Sequence, residues 1–354
     1  MKPAVTVLID TYNHERFIEE ALVSVLEQDF PPSEMEILVV DDGSTDRTPE
    51  IVRKFGARVR LLRKENGGQA SAFNAGLLEA RGPIVAFLDG DDWWARNKLT
   101  LVTQAMNADP TLGIVGNGII MFQLDGSSES EVLRENFRFQ ANSVEGARLF
   151  RLRKAFLGTS RMTVRTELLR LIGTVPEKIV VQADEYLFTL AATIAAARIL
   201  PEALTYYRVH DANGFFSTAN DPRRERIKQQ SLSALVRGMD ERLQQLGIAL
   251  PLRDEITGIT RNEATRLRLI LDGGWPWETV KAEWGIYQVT ASRPSATNRA
   301  FKALSLLFAL AIPPRTYYGL QQKLTQSDLY LRARKRWLPT AVDPHVEKHW
   351  RPGL

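Results

Sequence analysis

Apolar positions in the N-terminal part of the chain fall in short blocks. "AVTVLI", "MEILVV", "VRLLR" and "PIVAFL" are each bounded by polar or turn-forming residues and read as strands buried on both faces. Between the first two, in "FIEEALVSVLEQ", Ile18, Leu22, Val25 and Leu26 recur at helical spacing. "DDGSTDRTPEIVRKFG" offers Ser44, Thr45 or Asp46 as a helix cap and Pro49 for the first turn. "NGGQASAFNAGLLEARG" reads as a glycine-rich turn followed by a short helix. Strand and helix in alternation predict an α/β fold with a mostly parallel, Rossmann-like sheet, whose ligands bind at the carboxyl ends of the strands.

Beyond Lys98 the pattern is less regular. "LGIVGNGIIMF" predicts a further strand, "SVEGARLFRLRK" and "TELLRLIG" helices, and "RILPEALTYYRVH" a strand leaving the sheet. From Asp221 onward no strand pattern persists, and "RRERIKQQSLSALVRGMDERLQQLG" and "EITGITRNEATRLRLIL" read as helices. A boundary near residue 218 therefore divides an α/β domain of residues 1–218 from a helical region of residues 219–354.

With 354 residues, 44% of them hydrophobic, the chain can bury a core and suits about two domains. No cysteine is present, which excludes disulfides, thiolate nucleophiles and cysteine-ligated metals. The formal charge of +4 is unevenly placed: from Arg299 to Arg336 eight basic residues face the single acid Asp328. Among them lie "LSLLFALAI", Tyr317, Tyr318 and Trp337, a mixture that suits an interfacial helix on an anionic membrane or a docking helix with a solvated basic face. Nucleic acid is not an expected partner, because no recognition fold accompanies the charge. "MKPAVTVLIDTYN" lacks the pattern of a secretory leader, so a cytoplasmic location is expected, with peripheral membrane contact at its inner face. The apolar run Leu304 to Ile312 falls short of the roughly 20 residues of a spanning helix.

Candidate chemistry gathers at the predicted strand ends. "PIVAFL" runs into Asp89, Asp91 and Asp92, whose mutual repulsion a solvated turn would relieve, or a hard cation such as Mg²⁺ or Mn²⁺ shared with a phosphate. The strand before them and Trp93 and Trp94 after them favour the cation. Asp41 and Asp42 end the second strand, where a carboxylate can accept an N–H from a nucleobase edge or help cap the next helix. Asn66, Gly67 and Gly68 allow close backbone approach to a ligand. In "VVQADEYLF", Asp184 or Glu185 is a general base or an acid favoured by a helix N-terminus. "YYRVHDAN" supplies Arg208, a cation, and His210, a neutral ligand or donor, both suited to a diphosphate. Neither a P-loop nor G-x-G-x-x-G is present, so a P-loop NTPase and a dinucleotide oxidoreductase are unsupported.

The ordered set "VTVLIDTYNHERFIEEALVSVLEQ", "ILVVDDGSTDRTPEIV", "NGGQASAFNAGLLEARGPIVAFLDGDDWW", "ADEYLF" and "YYRVHDAN" resembles the family 2 inverting glycosyltransferases of the GT-A fold, over about residues 4 to 215. The resemblance implies a nucleoside-diphosphate sugar donor, a UDP-sugar foremost, and a glycan or lipid-linked acceptor of a bacterial cell envelope. It implies that Tyr12 packs near the base, Asp42 binds the base edge, Asp89 lies near the ribose, and Asp91 holds the divalent metal. Asp184 becomes the nominated catalytic base, with Glu185 the alternative because the family commonly shows Glu-Asp in that order. A second departure is Phe73 before Asn74, where the family often carries a basic residue. Two other classes remain in view. A metal-dependent phosphohydrolase would need Asp-X-Asp-X-Thr where this chain has "IDTYN", whereas a non-catalytic sugar-nucleotide binding or scaffold protein would keep every motif.

Overall fold

The structure, a computed structural model, describes residues 2–123, 125–210, 222–290, 296–325 and 345–351. The boundary expected near residue 218 and the basic run Arg332, Arg334, Lys335 and Arg336 lie outside the described residues. In chain order the first elements are β1 (Val5–Thr11), α1 (Ile18–Leu26), β2 (Met35–Asp41), α2 (Thr48–Arg53), β3 (Arg60–Arg63), α3 (Gln69–Glu79) and β4 (Ile84–Asp89). Next come β5 (Trp93–Trp94), α4 (Lys98–Ala108), β6 (Leu112–Phe122), β7 (Ser128–Leu133), β8 (Phe137–Phe139), α5 (Val144–Arg153), β9 (Thr163–Arg165), α6 (Thr166–Ile172), α7 (Ala183–Ile194) and β10 (Ala196–Arg208). The C-terminal region supplies α8 (Pro222–Gln245), α9 (Leu250–Asp272), α10 (Pro276–Thr290), α11 (Ala296–Ala311), α12 (Pro314–Thr325) and β11 (Val346–Arg351).

One sheet runs in the order β11-β7-β6-β9-β4-β1-β2-β3, and β10 pairs with β6, β5 and β8. The expected parallel arrangement holds for β3-β2-β1-β4 and for β10 beside β6. The other pairings are antiparallel, among them those of the three-residue β9, which enters between β4 and β6 against both. So short a strand carries no periodicity to read, and β5 and β8 are absent from the sequence pattern for the same reason, whereas the six-residue β7, "SESEVL", is absent because it is mostly polar. β11 is a further departure: a strand stands in the region read as helical, hydrogen-bonded antiparallel to β7.

Both faces of the parallel strands are covered, as their unbroken apolar runs require. Leu8, Leu38, Val40, Val85 and Phe87 pack on one side in a core that includes α3, α7 and Leu232, Leu235 and Met239 of α8. Val7, Ile9, Ile37, Val39, Ala86 and Leu88 pack on the other, against α1 and α4. Gly76 sets how close α3 comes, since a Cβ there would stand 2.6 Å from Leu8 Cδ1. α8 and α9 thus share the core of the sheet.

Leu235→Ala tests that sharing. Leu235 is fully buried, so the variant should lose about 2–5 kcal/mol of stability in urea unfolding, with helix and tertiary signals moving in one transition. Two separate transitions, with only the first displaced, would show α8 to be an independent unit.

Candidate active site

Register decides what meets at the strand ends. β1 and β4 run parallel side by side, so Asp10 and Asp89 are register partners, and Thr11 is paired with Asp41 on β2. Asp91 and Asp92 follow in the turn to β5, which places four carboxylates at one edge. Burial pushes the Asp10, Asp89 and Asp92 carboxyls well above the usual range, and the nearby charges of Asp91 on Asp10 and Asp92, and of Asp10 on Asp89, add to the effect. Asp91 differs. Burial raises it too, but a hydrogen bond between His210 Nε2 and Asp91 Oδ2 at 2.9 Å, with His14 Nε2 3.8 Å away, outweighs burial and leaves it below the usual range. Thr11 Oγ1 orients His14 at 3.2 Å from Nδ1, and the His210 ring lies 4.7 Å from that of Phe17. Burial lowers the His14 imidazole despite Asp91.

Ser160 organises the other side of the cluster. Its hydroxyl lies 2.6 Å from Asp92 Oδ2 and 3.2 Å from Asp89 Oδ2, and accepts the Asp89 backbone N–H. The Ser160 carbonyl accepts from Lys98 Nζ at 2.5 Å, Trp94 Nε1 at 2.8 Å and Thr205 Oγ1 at 2.9 Å. Lys98 is completely buried, with its ammonium 4.4 Å from the Trp94 ring, and burial lowers its pKa. Arg208 closes the site from β10: its backbone N–H donates to Asp92 Oδ1, its Nε to the Asp91 carbonyl, and Nη2 pairs with Glu20. The guanidinium lies over the rings of Trp93 and Phe17, at 4.5 and 4.9 Å.

A second group stands at the end of β2. The Asp42 carboxylate accepts N–H groups from Gly67 and Gly68, the latter at 2.7 Å, and pairs with Lys64 Nζ at 2.7 Å. Asn66 Nδ2 donates to the Asp42 carbonyl. Asp42 therefore braces the glycine turn. A Cβ on Gly43, which has φ of +81°, would stand 2.7 Å from Asn66 N, so only glycine admits this approach of the two loops. Gly43, Arg63, Lys64, Glu65 and Asn66 line an open depression of about 500 Å³.

The turn continues to Asp184. Gln69, at the start of α3, accepts the Ala183 N–H on Oε1 and donates from Nε2 to Thr159 Oγ1. Asp184, in the first turn of α7, accepts N–H groups from Thr159 at 3.1 Å and from Glu185 at 2.9 Å. Burial raises its pKa, Glu185 adds to the rise, and the Asp184 charge in turn reaches Asp10 and Asp89. Glu185 points elsewhere: Oε1 lies 2.7 Å from Lys154 Nζ and accepts the hydroxyl of Thr260 on α9.

Asp89, Asp91, Arg208 and His210 are thus brought together, with Asp184 within electrostatic reach. Asp42, Asn66 and Gly67 form the adjoining group, and Tyr12 stands 45% exposed just past β1. Phe73 is buried against Phe87 in the core, so the side chain at that position does not face the site. His14, Lys64 and Ser160 were not singled out from the sequence. A histidine three residues beyond a strand-end threonine was a readable signal for His14, whereas nothing local marks Ser160. Asp91 and His210 offer an oxygen and a nitrogen donor suited to Mg²⁺ or Mn²⁺, and Asp10 Oδ1 is buried without a hydrogen-bond partner. Among the described residues no group of three or more His, Cys, Asp or Glu side chains is placed to hold a metal ion.

The profile of the family described as "Glycosyl transferase family 2" matches residues 6–163. An uncharacterized glycosyltransferase of Nostoc sp., alr2836, is 30% identical over 239 residues, which span 64% of this chain and 71% of that protein. Poly(ribitol-phosphate) beta-N-acetylglucosaminyltransferase TarS of Staphylococcus aureus is 31% identical over 220 residues, 60% of this chain but only 37% of TarS. In three dimensions, residues 1–349 of S. aureus TarS, solved with UDP, align with a TM-score of 0.59 at 19% identity, covering 100% of this chain and 97% of that one. The mannosyltransferase PcManGT of Pyrobaculum calidifontis, solved with GDP-Man and Mn²⁺, gives a TM-score of 0.51 at 24% identity, covering 95% and 88%. These two likenesses establish the shared fold, and the sequence matches carry the rest: the chain belongs to glycosyl transferase family 2.

Proposed function

We propose that the chain moves a sugar from a nucleoside-diphosphate sugar, a UDP-sugar foremost, to a hydroxyl of a glycan or lipid-linked acceptor, inverting the anomeric carbon. The observation that carries this reading is the meeting of Asp89, Asp91, Arg208 and His210 at the strand ends within electrostatic reach of Asp184. The UDP and GDP-Man in the solved relatives support a nucleotide-sugar donor, and the poly(ribitol-phosphate) acceptor of TarS supports cell-envelope polysaccharide work. The base lies in the depression beside Asp42, with Tyr12 packing on it and Asn66 and Gly67 giving close backbone approach. Asp89 takes the ribose. Asp91 and His210 would hold Mg²⁺ or Mn²⁺, and such an ion would offset negative charge on the diphosphate.

Asp184 accepts the proton of the acceptor hydroxyl as its oxygen bonds to the anomeric carbon and the carbon–oxygen bond to the diphosphate breaks. Arg208 compensates charge on the departing nucleoside diphosphate. Asp184 is preferred to Glu185 because Glu185 turns to Lys154 and Thr260, while the Asp184 charge reaches Asp10 and Asp89 of the acid cluster. The enzyme works at the inner face of the membrane, where a lipid-linked acceptor is presented.

Asp184→Asn should lower kcat by about 100- to 10,000-fold while sparing donor affinity. Because burial raises Asp184, its ionised form weakens the fold above that pKa. The variant should therefore melt at the same or a higher temperature at pH 7, the gain vanishing below about pH 4, where the unfolded carboxyl is also protonated. Unchanged kcat would remove Asp184 from the chemistry.

In the wild type, the acid limb of kcat should lie above the ordinary aspartate value of about 3.9. A pH–rate profile flat down to pH 4 would contradict a raised base. Melting-temperature shifts with nucleoside diphosphates should require Mn²⁺ or Mg²⁺ and disappear with EDTA or in Asp91→Asn. Equal shifts with and without metal would assign the diphosphate to protein groups alone.

A further inference from the structure

α11 is built inside out. Successive α-helical residues turn about 100°, which puts Phe301, Leu304, Leu307, Phe308 and Leu310 on one half of its circumference, together with Ala300, Ala303 and Ala311. That half faces solvent: Leu304 is 66% exposed, Leu307 64%, Leu310 51% and Phe308 49%. Lys302 and Ser305 turn inward instead. Lys302 pairs with the buried Glu283 of α10 at 2.9 Å, and Ser305 Oγ lies 2.8 Å from the Tyr317 hydroxyl of α12. Tyr317 and Tyr318 close a small core with Leu269 and Ala309, so the inward face is already satisfied by the protein.

We infer that the outward face of α11, with the adjoining α12, is a docking surface for an anionic lipid bilayer. This rests on the membrane part of the proposed function and is independent of the donor assignment. Charge selects the occupant. From Ala296 to Thr325 the sequence holds no Asp or Glu, and Arg299, Arg315 and Lys323 are exposed beside the apolar band. Such a band with cationic flanks suits an interface of acyl chains beneath anionic headgroups, and it would repel a basic partner. No helix among the described residues is long and apolar enough to cross a membrane, so the contact is interfacial. Leu320 of α12 and the tryptophans Trp275, Trp277 and Trp284 on and just before α10 are exposed as well, and tryptophan favours the headgroup level.

The experiment uses the full chain in flotation with phosphatidylcholine vesicles, alone or with 30 mol% phosphatidylglycerol, a mole fraction of about one third anionic lipid. Wild type should float with the anionic vesicles, weakly with the neutral ones, and less as salt rises. Leu304→Glu/Phe308→Glu, at exposed positions, should keep the wild-type melting temperature and Mn²⁺-dependent UDP shift and lose at least about tenfold in vesicle affinity, the equivalent of two unfavourable charges in an apolar interface. Wild type that stays with the unbound fraction, or a double variant that floats equally well, overturns the assignment. So does a wild-type dimer that the double variant dissolves, since the face would then belong to a second copy. Nucleotide shifts in the same preparations separate this failure from failure of the transferase reading, because lipid binding and donor binding are scored independently.

Discussion

Carboxylates crowded at a buried strand edge cannot all ionise without relief, and the organisation of the site follows from how that repulsion is met. Asp91 is the one held below the usual range, by His210 and His14, while burial and neighbouring charge raise Asp10, Asp89 and Asp92. Relief otherwise comes from polar groups set in place before any ligand arrives. Ser160 joins two of the carboxylates through its hydroxyl and collects Lys98, Trp94 and Thr205 through its carbonyl. Buried networks of this kind are stable only when every member is satisfied, which ties the packing of β4, β5 and β10 to the acid cluster.

Much of this was legible in the chain. β1, β2 and β4 announced themselves because residues buried on both faces must be apolar in unbroken runs, and the acids stood out because they end those runs. Ser160 was not legible, since its importance comes from tertiary neighbours and not from its sequence context. Asp42 was read as accepting from a nucleobase edge or helping to cap a helix, and its carboxylate also holds the turn at Gly67 and Gly68, a use that only the approach of two loops reveals. The order Asp184 then Glu185 left two candidates for one role. Three-dimensional partners separate them, because Glu185 is bound to Lys154 and Thr260.

That last contact also changes how the C-terminal helices are understood. Glu255 of α9 pairs with Arg151 and Arg148 of α5, and Thr260 on the same helix meets Glu185 beside Asp184. The loss of strand pattern beyond Asp221 marked these residues as a helical region with a basic end. The inner faces of α8 and α9 complete the support of α7, and Lys302 of α11 turns inward to serve Glu283.

β11 carries a consequence for how the chain is made. Its partner β7 is complete early in translation, but the hydrogen-bonding edge of β7 stays open until residues 346–351 leave the ribosome. An open edge is a template for strands of other chains, so β7 presents an unpaired margin while residues 134–345 are made, and β11 removes it.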